Sequence, residues 1–221
     1  MRIFFIFLVI IILLFVGLFV FADRIAAYGI NHFTDYRIYY DKCKKVPFSS
    51  TTLWGLTLEH PEKGITAKAE KVSVVLRGRR SISERTLIAD CVIEGLRVGL
   101  KDKNALMDAG DPGSILDVPF WADQKFRQVR FTVYYNEFLF EIEQFDADSK
   151  DIKMSGEVVY KKPEDRVSLD MNISVSPTIA GTIPGDIREK ILTPEKDGWW
   201  GTIISFKGPA VLLKAVYSLA T

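Results

Sequence analysis

Residues 167–175 read Val-Ser-Leu-Asp-Met-Asn-Ile-Ser-Val. Val167, Leu169, Met171, Ile173 and Val175 fall on one parity, and Ser168, Asp170, Asn172 and Ser174 on the other. A period of two belongs to an extended strand, whose successive side chains point to opposite faces. The segment therefore predicts a strand with one apolar and one polar face. The same rhythm recurs on both sides of it. Upstream lie Ile152 to Tyr160, then Glu137 to Phe145 through Phe138, Phe140 and Ile142. Phe126 to Tyr135 sets Val129, Phe131, Val133 and Tyr135 against Arg130, Thr132 and Tyr134. Leu87 to Leu100 holds two segments, with Leu96, Val98 and Leu100 facing away from Arg97 and Lys101. Ile65 to Leu76 ends with Val72, Val74 and Leu76 on one face, and Thr52 to Leu58 and Tyr36 to Tyr40 precede it. Downstream, Trp199 and Trp200 introduce a last strand, Thr202 to Phe206.

Short turn segments, such as Asp148-Ser-Lys and Pro163-Glu-Asp, separate these strands, and no strand–helix–strand rhythm appears. The expected sheet is antiparallel. Two short helices are expected, Asp186 to Leu192 and Val211 to Leu219. The polar segment 101–113, with its Asp-Pro-Gly turn, reads as a long loop dividing two sub-sheets of one domain, residues 33–221. Trp54-Gly-Leu-Thr-Leu and Glu94-Gly-Leu-Arg-Val form a weak internal echo about 40 residues apart.

Ile3 to Ala22 is a run of 20 residues without a charge. At 1.5 Å per residue it would span about 30 Å, the thickness of a bilayer's hydrocarbon core. It reads as a transmembrane anchor, continued as a helix to about residue 32. Val20-Phe21-Ala22 leaves cleavage after Ala22 as the alternative, although the apolar run exceeds an ordinary signal core. Arg2 precedes the run and Arg24 and Arg37 follow it, so the flanking charges do not choose a side.

The rest of the composition restricts chemistry more than it suggests any. Lys plus Arg is 29 and Asp plus Glu is 28, a net charge of +1, which gives no basic excess for nucleic acid. There are two histidines, His32 and His60, in no ligand pattern, and no cofactor or metal is expected. Asp102, Asp108 and Asp111 miss calcium-loop spacing. Arg77-Gly-Arg79-Arg80 reads as a solvated turn that could meet lipid headgroups. Asn172-Ile-Ser174 fits a glycosylation sequon in mid-strand and is expected to be unmodified. No nucleophile–base set appears, so no enzymatic role is expected. Cys43 and Cys91 could form a disulfide in an oxidising compartment, or stand as two separate thiols.

With the N-terminal anchor and short helix in front of it, the stretch FTDYRIYYDKCKKVPFSSTTLWGLTLEHPEKGITAKAEKVSVVL resembles the N-terminal part of AsmA-like bacterial envelope proteins. The matching elements are Leu53 to Pro61 and Ala69 to Leu76, followed by LIADCVIEGLRVGL. The segment IEQFDADSKDIKMSGEVVY and the later GTIISFKGP resemble later β-segments of that family and of type II secretion protein N. Those proteins are usually several times longer. The resemblance implies a single-pass protein of the bacterial inner membrane, a periplasmic domain, and a role in envelope lipid homeostasis.

The expected fold is thus mainly β: an anchor followed by a curled antiparallel sheet, either an open groove or sandwich-like. In the first reading, Val72, Val74, Leu76, Leu96, Val98, Leu100, Val129, Phe131 and Val133 line a groove for the acyl chains of a phospholipid. In the second, the domain is an assembly factor of a secretion or pilus machine, pairing its sheet edges with partner proteins.

Overall fold

The computed structural model describes residues 31–32, 36–46, 49–61, 65–100 and 124–210. The anchor Ile3 to Ala22, the loop 101–113 with its three aspartates, and the helix expected at Val211 to Leu219 lie outside them. Among the described residues no helix is long and apolar enough to cross a membrane.

Among the described residues eleven strands form one open sheet. They are β1 (Arg37–Tyr39), β2 (Lys42–Val46), β3 (Ser50–His60), β4 (Ile65–Leu76), β5 (Leu87–Leu100), β6 (Lys125–Tyr135), β7 (Leu139–Ser149), β8 (Ile152–Lys161), β9 (Arg166–Val175), β10 (Thr193–Pro194) and β11 (Trp200–Pro209). Every pairing is antiparallel, and β3 to β9 neighbour one another in chain order. β11 follows β9, and β10 lies outside β11. At the opposite edge, β1 and β2 share the outer side of β3, along Thr57 to Glu59 and Ser50 to Trp54. The sequence reading located every long strand. It missed β2, whose five residues carry three lysines and no clear alternation.

One expectation is corrected. The strands on either side of the long loop pair directly, Leu87 to Arg97 against Lys125 to Tyr135. There are no two sub-sheets, because one ladder runs through that junction.

Short α-helices among the described residues decorate the sheet, α1 (Gly78–Glu84), α2 (Pro177–Ala180) and α3 (Gly185–Ile191), and a 3-10 turn spans Lys196–Gly198. Helix α3 matches the helix expected from Asp186. Helix α1 replaces the solvated turn expected around Arg77 to Arg80. It lies over the start of β5, where Ile88 is fully buried and donates its backbone N–H to the Ser81 hydroxyl at 3.0 Å. Helix α2 has its N-cap at Ser176, whose Oγ accepts from the Ile179 N–H at 3.4 Å, with Pro177 at the first position. Helices α2 and α3 bring Ala180 and Leu192 onto Phe126, Val129, Ala147, Ile152, Ile173 and Val175, at one end of β6 to β9. That cluster is the core of the described residues.

The repeated Gly-Leu motif has a structural meaning. Gly55 and Gly95 have φ of +63° and +65°, and both stand opposite Glu70 in the ladder. Arg127 of β6 continues the row. Pairing is interrupted at each of these four positions, and beyond them the parity of the apolar residues changes. Ile93 and Leu96, three apart, both pack against the one core cluster, as Phe126 and Val129 both belong to it. A glycine in the left-handed region lets the strand absorb this change without a Cβ penalty. The space above Gly95 is taken by the Glu70 side chain, and that above Gly55 by Asp41.

Gly95→Ala is therefore expected to destabilise the domain by about 1–3 kcal/mol, since it adds a strained φ and a collision with Glu70. Gly99→Ala is the control: its nearest neighbour would be the Thr66 carbonyl at 3.9 Å. Urea denaturation of both variants should show a large loss for the first and little change for the second.

Candidate functional site

The ladder registers turn the alternation of single strands into rows that cross the sheet. One row runs Cys43, Leu53, Val72, Ile93, Val129, Ala147, Met154, Ile173, Thr202. Eight strand spacings give it a length of about 38 Å along the sheet. A second row runs Leu76, Ala89, Val133, Ile142, Val158, Leu169, Phe206. Between them lie Val74, Cys91 and Phe131, opposite one another, and the Phe131 ring lies 6.4 Å from that of Phe145. These rows share a face because opposed residues in an antiparallel ladder point to the same side.

Six of the nine groove candidates, Val72, Val74, Leu76, Val129, Phe131 and Val133, thus meet on one continuous apolar surface. Leu96 joins it through the parity change at Gly95 and packs against the core cluster. Val98 and Leu100 stand opposite Ala67 and Ile65, farther along the same strand. The sequence reading missed Ile93, Ile142, Met154, Val158, Leu169 and Phe206. The signal for them was the same alternation, but only the registers show that separate strands contribute to one surface.

Cover over this surface is uneven. Helices α2 and α3 close the end where Val129 and Ile152 are 5% and 0% exposed. Toward the other end, Ala89 and Val167 are buried, whereas Val74, Phe131, Val133, Ile142, Val158 and Leu169 are only half-buried. Leu76, Leu87 and Tyr135, at the rim, are 37%, 49% and 49% exposed. All sheet pairings among the described residues belong to the one sheet, so none supplies a second layer.

The opposite face carries matched charges. Lys71 meets Glu94 at 2.8 Å, Arg130 meets Asp146 at 3.1 Å, and Arg127 meets Asp148. The Arg77 guanidinium holds Asp90 through two bonds of 2.7 and 2.6 Å, and the Thr132 hydroxyl donates to Asp90 at 2.9 Å. Arg77 keeps the Asp90 carboxyl below its usual range, mainly through these hydrogen bonds. Glu70 is lowered likewise by its bond to the Lys125 ammonium at 2.7 Å. On the apolar side burial, and then the charge of Asp90, push the Cys91 thiol up, so it stays protonated and behaves as a small apolar group.

The other chemical candidates do not converge. Cys43 and Cys91 are both thiols. Strands β3 and β4 lie between theirs, a separation of about 14 Å, beyond the reach of a disulfide within the chain. Among the described residues no three His, Cys, Asp or Glu side chains could hold a metal ion together. His32 and Asn172 are exposed. Of the basic cluster, Arg77 pairs with Asp90 and Arg80 with Glu84 at 2.6 Å, which leaves Arg79 outward. A comparison with protein-family models, curated proteins and solved structures finds no match for this chain.

The lowered Asp90 pKa has a signed consequence. Its contribution to stability is present above the unfolded carboxyl pKa of about 3.9 and is lost as pH falls through the depressed folded value. Asp90→Asn is expected to lower the melting temperature at pH 7. The gap to the unmodified protein should close progressively below about pH 4 in a calorimetric pH series.

Proposed function

We propose that this chain is a membrane-anchored envelope protein whose sheet holds the acyl chains of a membrane lipid against its apolar face. One observation carries the reading: two apolar rows cross seven or more strands, and among the described residues most of their side chains beyond the end beneath α2 and α3 are only half-buried. Uncovered apolar area on this scale costs roughly 25 cal/mol per Å² in water, so it favours an apolar occupant. An acyl chain suits it because the surface is long and mostly aliphatic and aromatic, without a charged side chain along its rows. The half-burial of Val74, Phe131 and Val158 agrees with a sheet that curls toward its own apolar side, forming a trough. Ion pairs on the reverse face keep that side in water. With Ile3 to Ala22 as anchor and the AsmA-like order of elements, the domain stands on the periplasmic side of a bacterial inner membrane. The matched charges of the reverse face and the net charge of +1 do not favour nucleic acid as partner.

A photo-crosslinking amino acid placed at Val74 or Phe131 of the full chain in proteoliposomes tests this. Illumination should yield peptides carrying the mass of a phospholipid. The same group at Ser73 or Arg130, on the reverse face, should yield about tenfold less. Equal labelling of both faces, or none on the apolar face, would count against the reading.

A further inference from the structure

The two edges of the sheet are built differently. At one, the outer side of β3 is covered by two short strands that carry Arg37, Lys42, Lys44 and Lys45. Short strands, breaks and lysines are the usual protection of a sheet edge. At the other, β10 covers only Trp200 and Gly201 of β11. From Thr202 onward no described strand lies outside β11. This stretch has no charge before Lys207 and no proline before Pro209, and its register with β9 runs without a shift. Ile203 and Ile204 on it are 73% and 45% exposed. Ile203 is the more telling, since it lies on the charged face opposite Asn172. Half of the backbone N–H and C=O groups along such an edge point outward, and a strand laid beside it would satisfy them.

We infer that β11 pairs antiparallel with β11 of a second copy of this chain. The uncovered length ahead of Pro209, residues 202–208, is symmetric about Ser205. A two-fold axis there sets Ser205 beside its own copy, Ile204 beside Phe206, Ile203 beside Lys207 and Thr202 beside Gly208. The match of faces follows from parity. Even-numbered residues of β11 stand opposite Val175, Ile173, Met171 and Leu169 on the apolar side, and the axis pairs even with even and odd with odd. Both faces therefore continue from one copy into the next. Neither copy brings two charges together, as Lys207 meets Ile203. The protected edge at β1 and β2 accepts no further strand, so the assembly closes at two copies. This pairing concerns an edge and stands whether or not the apolar face holds lipid.

Cross-linking in detergent micelles tests it on the full chain, in a Cys43→Ser, Cys91→Ser background. Ser205→Cys should form an intermolecular disulfide on mild oxidation. Ile203→Cys should not, because the two copies of position 203 are about 14 Å apart in this register. Without added cysteines, Ile203→Lys sets like charges opposite each other twice and should weaken the dimer about tenfold by sedimentation velocity. Ile203→Glu creates two ion pairs with Lys207 and should keep the dimer. A monomeric unmodified chain, equal cross-linking at 203 and 205, or identical behaviour of the Lys and Glu variants would overturn the inference.

Discussion

The backbone ladder between neighbouring strands is the interaction on which the rest depends. Each pairing from β3 to β9 and on to β11 sets which side chain stands beside which. Small offsets would scatter the apolar residues, because a slip of one residue sends every side chain of a strand to the other face. Instead Cys43 to Thr202 and Leu76 to Phe206 line up across the sheet. The apolar surface is a property of these registers, and no single strand contains it.

Keeping that surface continuous requires local departures from regular pairing. β3, β4, β5 and β6 all change parity at one level, marked by Gly55, Glu70, Gly95 and Arg127. A second departure lies in β7, where the register shifts around Gln144, itself at a φ of +53°. Phe145 then stays on the apolar side, against Phe131. Acidic side chains fill the room left by glycine in three places: Asp41 over Gly55, Glu70 over Gly95 and Glu195 over Gly201. Each pairing exchanges a Cβ for a charged group that reaches across from a neighbouring strand or turn. Glu70 then anchors Lys125, the first residue of β6, so the same row ties together the strands on both sides of the long loop.

The two faces divide the molecule's physics. On one, ion pairs such as Arg77–Asp90 and Lys71–Glu94 sit at the surface, where each contributes little to stability but keeps the face wetted and selective against stacking. On the other, the clustered core lies where α2 and α3 reach it, and most of the apolar groups beyond are half-buried. The core is small for the area of the sheet, because most of the apolar face lies beyond those helices. That imbalance motivates a lipid occupant for the face, while the second copy follows from the open edge of β11 alone.

The sequence by itself determined the strands. Alternation is a local property with a period of two, so Val167 to Val175 or Ile65 to Leu76 could be read directly, and short turns implied antiparallel order. It also displayed the Gly-Leu echo without its reason, since a positive φ leaves no mark on composition beyond the glycine. Strand β2 was hidden because three lysines in five residues mask its pattern, and α1 because three arginines around a glycine, at 77–80, imitate a turn. The division into two sub-sheets failed for a similar reason. A long polar loop looks like a boundary in sequence, whereas the hydrogen-bond ladder between β5 and β6 ignores the length of chain that connects them. Tertiary structure alone decided which strands share a row, which cysteines lie too far apart to pair, and which edge is left open. Those facts depend on hydrogen bonds between residues distant in sequence, and no local pattern records them.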